Sequence, residues 1–292
     1  MWYEREIRRK IQRLAATFPA IVVTGARQVR KTTLLRRMYP DYHFVTLDRP
    51  AYAEMAETRP DDFLRQFQAP VIIDEVQYAP ALFRHLKLLI DQDRENYGQY
   101  ILTGSQKFTL MKAISDSLAG RCGVCELETL SLEEIRAKKN ITLEEACLAG
   151  GYPELHKRPE IHYPDYFDAY LATYLERDVR TLLQVGNLRD FERFLQACAL
   201  RTAQTVNKAE LARDVGVSAS TANQWLSLLH ASNQVLLLEP WFSNKTKSLV
   251  KSPKLYIHDT GLLCHMLQIS SIQELRDSPM WELSGRHLCF LS

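Results

Sequence analysis

The chain has 292 residues, of which 46% are hydrophobic and 25% charged, the balance of an ordinary globular protein with a buried core. The net charge of +2 excludes a global field that would draw the protein onto nucleic acid or an anionic membrane, so any basic patch must be local. The sequence shows neither a signal-peptide pattern nor an apolar run of about 18 residues, and we therefore expect a cytoplasmic protein without a membrane partner.

Strand and helix patterns alternate over residues 1–103. Short apolar runs rich in β-branched residues predict buried strands at residues 20–24, 43–47, 70–74 and 99–103. Helices are predicted at residues 3–18, 32–38, 52–58, 61–68 and 80–93. A further strand is expected at Cys122 and Cys125, whose thiols we take to be free and to serve as small apolar groups. This alternation predicts an α/β domain with a parallel sheet that binds its ligand at the carboxyl ends of the strands.

The residues beyond 130 have a mainly helical pattern. Helices are predicted at residues 132–149, 163–183, 191–202, 207–214 and 219–230. Residues 211–218 have a helix-turn-helix pattern, in which Gly216 suits the tight turn and Ser218 can cap the second helix. An extended segment at residues 235–241 would follow as a wing, so this part of the chain predicts a winged helix.

Residues 25–32, Gly-Ala-Arg-Gln-Val-Arg-Lys-Thr, have the length and context of a Walker A phosphate loop between a strand and a helix. In such a loop, successive backbone amides and the helix N-terminus surround the phosphates. Lys31 would reach the β- and γ-phosphates of ATP, and the hydroxyl of Thr32 would bind Mg²⁺. The predicted nucleotide-binding residues are Gly25, Ala26, Arg27, Gln28, Val29, Arg30, Lys31, Thr32 and Thr33.

Arg30 stands where the second glycine of the loop is expected. Glycine suits that position because the backbone passes close to the phosphate and can need a conformation that a Cβ atom penalises. Such a conformation costs a residue with a side chain about 1–3 kcal/mol. The substitution could therefore weaken nucleotide binding, or the guanidinium could compensate by pairing with a phosphate.

Residues 71–75, Val-Ile-Ile-Asp-Glu, have a Walker B pattern in which two acids follow an apolar strand. Asp74 would hold Mg²⁺, usually through water, and Glu75 would polarise the attacking water. Two adjacent carboxylates at the end of a buried strand are costly unless a cation or a ligand uses them. A plain strand-ending turn is the alternative interpretation.

Two further candidates follow in the sequence. The strand at residues 99–103 is followed by polar side chains, of which Ser105 is our choice to hold the catalytic water or the γ-phosphate, with Thr103 and Gln106 as alternates. Arg121 could act as an arginine finger, in its own chain or toward a neighbouring subunit of a homo-oligomer. A surface ion pair is the alternative role for Arg121.

Six motifs occur in order and support a family resemblance: GARQVRKTTLL, VIIDEVQYAP, YILTGSQ, SLAGR, GGYPE and TYLERDVR. Together they closely resemble the prokaryotic AAA-type ATPases of unknown function that carry a winged helix and a nuclease-like C-terminal domain. The resemblance runs from about Glu4 to about Leu267. It implies an AAA fold, ATP and Mg²⁺ as ligands, and a winged helix.

The resemblance also suggests a domain organisation. We expect a P-loop AAA-type domain at residues 1–135, a helical linker or lid at 136–190, a winged-helix domain at 191–260 and the truncated start of a C-terminal domain at 261–292. The family continues for roughly another hundred residues, a size typical of a domain. The tail at 281–292 looks like a truncation or a change of reading frame.

Two functional hypotheses result. The first is a Mg²⁺-dependent ATPase, a switch or motor weakened by Arg30. The alternative is a non-hydrolysing nucleotide-binding module, or a module whose winged helix contacts DNA or protein. The polar side chains available to DNA on the second helix are Ser218, Ser220, Thr221, Asn223 and Gln224, none of them cationic. Lys245, Lys247, Lys251 and Lys254 could touch phosphates, with a solvated lysine-rich loop as the alternative.

Overall fold

The computed structural model describes residues 2–105, 107–174, 179, 188–240, 252–279 and 281. The chain divides into two compact units, one formed by residues 4–128 and the other by residues 1–3 with 129–292. The predicted first domain extends to residue 135, beyond the end of the first of these units. The division of the remaining chain into linker, winged helix and C-terminal segment stays a prediction.

The unit of residues 4–128 contains a five-stranded parallel sheet in the order β2-β3-β4-β1-β5. The strands are β1 (Ala20–Thr24), β2 (His43–Thr46), β3 (Val71–Asp74), β4 (Tyr100–Thr103) and β5 (Cys122–Glu126). The helices are α1 (Arg8–Ala15), α2 (Lys31–Met38), α3 (Pro50–Thr58), α4 (Pro60–Gln66), α5 (Leu82–Gln92) and α6 (Lys107–Ser117). The predicted parallel α/β architecture is confirmed. The sequence did not predict α6, and it made α1 longer than it is.

The central strands are apolar because helices cover the sheet on its faces. All five residues of β1 and all four residues of β3 are buried, which explains their continuous rather than alternating hydrophobic pattern. Helix α1 lies so close to β5 that a Cβ atom at Gly123 would stand 2.8 Å from the side chain of Leu14. Glycine is therefore required there for packing rather than for a turn.

The strand order brings three strand ends together. β4 lies between β1 and β3, and the parallel register aligns Ala20 and Val71 with Tyr100. The loop after β1, the acids at the end of β3 and the polar residues at the end of β4 therefore meet at one edge of the sheet, where parallel α/β sheets bind ligands.

The second unit begins with short capped helices. The predicted helix at residues 132–149 is two helices, α7 (Leu132–Arg136) and α8 (Leu143–Ala149). Each starts with a capping box, formed by Ser131 with Glu134 and by Thr142 with Glu145. The second box starts a new helix at Leu143, because it satisfies the first free amides of that helix. The apolar pattern of residues 132–149 therefore continues across a break between two helices. Helices α9 (Pro153–Lys157) and α10 (Tyr163–Tyr174) follow.

A helix-turn-helix and a two-stranded antiparallel sheet form the next part of this unit. The elements are α11 (Leu188–Leu200), α12 (Lys208–Val215), α13 (Ala219–Ala231), β6 (Val235–Leu238), β7 (Lys254–Ile257), α14 (Thr260–Met266) and α15 (Ile272–Asp277). Gly216 ends α12 with φ 80° and Ser218 Oγ accepts a hydrogen bond from Thr221 N at 3.0 Å, as predicted. β6 and β7 pair antiparallel, and Trp225 packs edge-on against Phe191 and Phe194. Within the described residues, no helix has the length and apolar character needed to cross a membrane.

Candidate functional site

The loop between β1 and α2 begins at Gly25, a position that only glycine can occupy. Its φ is +142°, and a Cβ atom there would lie 2.1 Å from the backbone carbonyl oxygen of Leu127. Because a backbone atom cannot move aside as a flexible side chain can, any other residue would displace the loop or the segment after β5. The loop therefore starts in a conformation that its glycine makes possible.

Two non-glycine residues of the loop adopt the left-handed conformation. Gln28 has φ 64°, and Arg30, immediately before α2, has φ 68° and ψ 39°. Glu75, after β3, is also left-handed, with φ 56°. In the unit of residues 4–128 these are the described non-glycine residues with positive φ, and all three follow strand ends at the same edge of the sheet. Each conformation costs about 1–3 kcal/mol, and such strain is concentrated at functional sites.

The side chain of Lys31 turns back over the loop. Lys31 is only 6% exposed, and its Nζ donates hydrogen bonds of 2.9 Å to both Gly25 O and Ala26 O. A buried ammonium therefore lies at the first turn of α2, where the helix dipole adds positive potential. The first turn of α2 contains no acidic residue to oppose this potential.

Asp74 joins the phosphate loop to the neighbouring strands. Its Oδ1 accepts a hydrogen bond from Thr32 Oγ1 at 2.7 Å and another from Thr103 Oγ1 at 2.6 Å. Asp74 is 6% exposed and Thr103 is fully buried. Carboxylate and hydroxyl oxygens are ligands that Mg²⁺ accepts, so Thr32 and Asp74 fit the predicted metal site. Thr103, an alternate in the sequence analysis, is part of this cluster.

Glu75 is held by polar groups from two strand ends. Its backbone N–H donates to Thr103 Oγ1 at 3.2 Å, and its Oε2 accepts a hydrogen bond from Ser105 Oγ at 3.2 Å. Gln77 Nε2 donates to the same Oε2 atom. The structure thus brings Ser105, our first choice, against the predicted water-activating carboxylate. Gln106, the other alternate, lies outside the described residues.

Gln77 was missed by the sequence analysis. It lies on a 3₁₀ turn, Val76–Tyr78, that directly follows Glu75, and it is 7% exposed. A Cβ atom at Gly104 would stand 2.5 Å from Gln77 Oε1, so the glycine makes room for the amide. Its position two residues after a Walker B acid was the available sequence signal. Proximity in sequence alone does not predict which way the amide points.

The remaining loop residues surround this centre. Ala26 and Val29 are buried, Arg27 and Arg30 are partly exposed, and Gln28 and Thr33 are exposed. In residues 25–32, small and apolar residues are thus buried against the protein, whereas the polar side chains other than Lys31 reach the surface.

The structure separates Arg121 from these residues. It directly precedes β5, whose first residue pairs with Ala20, so Arg121 lies at the amino edge of the sheet, opposite the phosphate loop. Its guanidinium forms a bidentate ion pair with Asp91, with distances of 2.7 and 2.9 Å. This hydrogen bonding lowers the pKa of Asp91. The prediction that Arg121 is an arginine finger in its own chain is therefore wrong, and the alternative, a surface ion pair, is what the structure has. A role toward a neighbouring subunit stays a prediction.

The cysteine pair and the helix-turn-helix show no catalytic arrangement. Cys122 and Cys125 are free on β5, and burial raises the pKa of each thiol to about 11. No group of three or more potential metal-binding His, Cys, Asp or Glu residues occurs among the described residues.

Near the second helix of the helix-turn-helix, Lys208 Nζ donates to Asn223 Oδ1 at 2.6 Å. Lys208 is a cation that the sequence analysis did not single out. Lys254 is exposed on β7, whereas Lys245, Lys247 and Lys251 fall in stretches that the structure leaves undescribed.

Comparisons with known proteins match both parts of the chain to family models and match the chain to two relatives. Residues 17–136 match the family model of an AAA domain, and residues 140–273 match that of a domain of unknown function (DUF8612). Two uncharacterized proteins, Rv2008c of Mycobacterium tuberculosis and Mb2031c of Mycobacterium bovis, are each 32% identical over 279 residues, which is 94% of this chain. The chain spans 62% of the length of these relatives.

A solved structure shares the fold. The Walker-type ATPase PABY2304 of Pyrococcus abyssi aligns over 91% of this chain and 96% of its own, with a TM-score of 0.61 and 17% identity. The unit with the parallel sheet therefore has the fold of an AAA-type P-loop ATPase, which confirms that part of the resemblance. The winged helix and the nuclease-like domain stay predictions.

Proposed function

We propose that the protein binds ATP with Mg²⁺ at the loop of residues 25–32 and hydrolyses the bond between its β- and γ-phosphates, which gives ADP and inorganic phosphate. The observation that carries this proposal is the hydrogen bond of 2.7 Å between Thr32 and Asp74. It joins the residue after the loop lysine to the acid that ends β3. Loop amides, one buried ammonium and an oxygen pair for a divalent cation then lie at one edge of the sheet, which is the set of groups that phosphoryl transfer requires.

Each side chain has a role that follows from its position. Lys31 binds the β- and γ-phosphate oxygens, and the amides at the start of α2 bind the others. Thr32 and Asp74 would hold Mg²⁺, which would supply positive charge to the phosphate oxygens. Glu75 orients and polarises the attacking water, and Ser105 fixes the Glu75 carboxylate.

Arg30 favours a second candidate function, a nucleotide-binding module that does not hydrolyse ATP. Its left-handed conformation is the strained one expected at the missing glycine. The strain raises the energy of the loop conformation, whereas a guanidinium that paired with a phosphate would favour binding. The two effects on nucleotide affinity therefore oppose each other, and nucleotide binding without hydrolysis is the outcome in which the strain disables the catalytic step alone.

Calorimetric titration and phosphate release distinguish these functions. MgATP and MgADP should bind the native chain, and Lys31→Ala should weaken binding by at least ~10-fold because it removes a charge-assisted contact. Lys10→Ala, on the exposed face of α1, is the matched control and should bind as the native chain does. Absence of nucleotide binding by the native chain would refute the proposal.

Phosphate release then separates hydrolysis from binding alone. The native chain, Lys31→Ala, Glu75→Gln and Arg30→Gly are compared. Hydrolysis predicts release by the native chain that Glu75→Gln abolishes. Release at the buffer rate by a native chain that binds MgATP would establish the non-hydrolysing module, and recovery in Arg30→Gly would assign the defect to that residue.

The second unit supports two further proposals. A helix-turn-helix followed by the antiparallel strand pair β6–β7 supports a winged helix at residues 191–260. Contact with duplex DNA through α13 would depend on Lys208 and Lys254 for phosphate binding. A salt titration of duplex binding tests the DNA proposal. If phosphate contacts carry the binding, the logarithm of the affinity should fall linearly with the logarithm of the salt concentration. No affinity at low salt would remove the DNA proposal.

A homo-oligomer in which Arg121 reaches a neighbouring subunit is the remaining proposal. It requires Arg121 to leave Asp91, so Asp91→Asn should raise phosphate release and Arg121→Ala should lower it. The test compares both variants across protein concentration, with sedimentation to report assembly. A purely monomeric chain with unchanged release in Arg121→Ala would exclude this role.

A further inference from the structure

A buried arginine from the segment before α1 contacts the phosphate loop. Arg5 is 7% exposed. One guanidinium nitrogen donates to Val29 O at 3.2 Å and another donates to Glu128 O at 2.7 Å. Arg5 therefore joins three parts of the chain: the N-terminal segment, the loop and the residues that follow β5.

Val29 is the residue of the loop that needs such an anchor. It lies between Gln28 and Arg30, both of which are left-handed at φ 64° and φ 68°. Its side chain is fully buried, so the core fixes one side of the residue and Arg5 fixes its carbonyl group. A strained conformation persists only where its surroundings over-determine it, and these two contacts supply that determination.

We propose that Arg5 is a positioning residue of the phosphate loop, which holds the backbone at Val29 so that Arg30 can remain left-handed in place of a glycine. The inference rests on the proposed function, because it concerns the loop that would bind the nucleotide. Arg5 also places a buried positive charge next to the loop, which adds to the potential that attracts phosphate.

The geometry selects arginine over lysine. The two acceptors belong to residues 29 and 128, and the planar guanidinium presents separate nitrogens to both. A lysine ammonium would have to serve both acceptors from one nitrogen, so it does not reproduce the two separate donors of this fork. Arg5→Lys therefore keeps the charge and loses the fork geometry, whereas Arg5→Met loses both hydrogen bonds and keeps most of the buried volume.

The experiment measures the loop directly, by hydrogen exchange of peptides that span residues 20–35, with no nucleotide added. Arg5→Met should raise exchange in these peptides by about tenfold or more, and Arg5→Lys by less, because charged hydrogen bonds to the loop are lost. Arg9→Met, an exposed arginine on α1, is the matched control. Exchange in α5 reports overall stability, and a rise there equal to that in the loop would mean a general structural role and would overturn the proposal.

A second measurement compares the MgADP affinity of Arg5→Met with that of the double variant that also carries Arg30→Gly. MgADP affinity should fall by about tenfold in Arg5→Met and by clearly less when Arg30→Gly is also present, since glycine needs no help in the left-handed region. Equal losses in the two backgrounds would overturn the link between Arg5 and Arg30. If the native chain binds no MgADP, the proposed function fails, while the exchange experiment still decides whether Arg5 positions the loop.

Discussion

Thr103 donates its hydroxyl proton to Asp74 Oδ1 across 2.6 Å, and the same hydroxyl accepts the backbone N–H of Glu75 at 3.2 Å. One fully buried side chain on β4 thus holds the carboxylate of Asp74, which ends β3, and the backbone of Glu75, which follows it. The strand order, with β4 beside β3, makes this contact possible. The acids are therefore oriented by the sheet itself and not only by their own loop.

Replacing Thr103 by valine should destabilise the unit of residues 4–128. Valine has nearly the same shape but leaves the N–H of Glu75 and an oxygen of Asp74 without the hydroxyl, at a cost of about 1–3 kcal/mol. Urea denaturation measures this free energy of unfolding. Thr103→Ser keeps the hydroxyl and should lose only about 1 kcal/mol, for its missing methyl group. A valine variant more stable than the serine variant would contradict the assigned role.

Replacing Asp74 by asparagine should remove the effect of Mg²⁺ on nucleotide binding. Asparagine can still accept a hydrogen bond from Thr32, so the fold should survive, but the neutral amide binds a hard divalent cation poorly. Calorimetry should show native affinity for ADP at least ~10-fold higher with Mg²⁺ than with EDTA, and no such difference in Asp74→Asn. Asp91→Asn, an exposed acid paired with Arg121, is the control and should keep the difference.

Gly25 and Gly120 allow a matched comparison of two glycines with positive φ. Alanine at position 25 would put a Cβ atom 2.1 Å from Leu127 O, whereas alanine at position 120 meets no atom within 4 Å. Gly120→Ala should therefore cost about 1–2 kcal/mol, from its backbone conformation alone. Gly25→Ala should cost more than ~4 kcal/mol or prevent folding, because the loop must also move. Thermal unfolding of both variants measures the difference, and equal losses would refute the crowding argument.

The sequence was sufficient to predict which residues meet at the centre of the candidate site, because its parts are local motifs. Lys31 and Thr32 follow the loop after one strand, whereas Asp74 ends another strand and Glu75 follows it. Parallel strands then bring both pairs to one edge, whatever the details of packing. Even Arg30 could be assigned a strained backbone, since glycine is the residue that the loop requires there.

Other features could not be derived in this way. Arg5 reaches carbonyl groups 24 and 123 residues away, and no local pattern encodes such a contact. Arg121 follows Gly120 at the end of a loop, and only the sheet register shows that it directly precedes β5, at the edge opposite the phosphate loop. The start of α8 was different: Thr142 and Glu145 form a capping box that the sequence displays, and the longer apolar pattern concealed it.

His156, in the unit of residues 1–3 with 129–292, should make the protein sensitive to mild acid. It is 4% exposed, and its Nε2 lies 2.6 Å from Gly150 O, which can only accept, so Nε2 carries the proton in the neutral ring. The buried Nδ1 has no hydrogen-bond partner among the described residues. Burial lowers the pKa of His156, despite the opposing effect of the hydrogen bond to Gly150.

The sign of the pH dependence follows from that lowered pKa. Below the ordinary histidine pKa of about 6.5 the unfolded chain takes up a proton that the folded chain resists. The stabilisation from neutral His156 is therefore complete above about pH 6.5 and is lost progressively as the pH falls toward the folded pKa. Urea unfolding at about pH 7.5 and about pH 5.5 should show a larger decrease for the native chain than for His156→Gln, which keeps a donor for Gly150 and does not titrate. His162→Gln removes an exposed histidine near Asp165 and should leave the native decrease unchanged; a decrease equal in all three chains would show that His156 is not the group responsible.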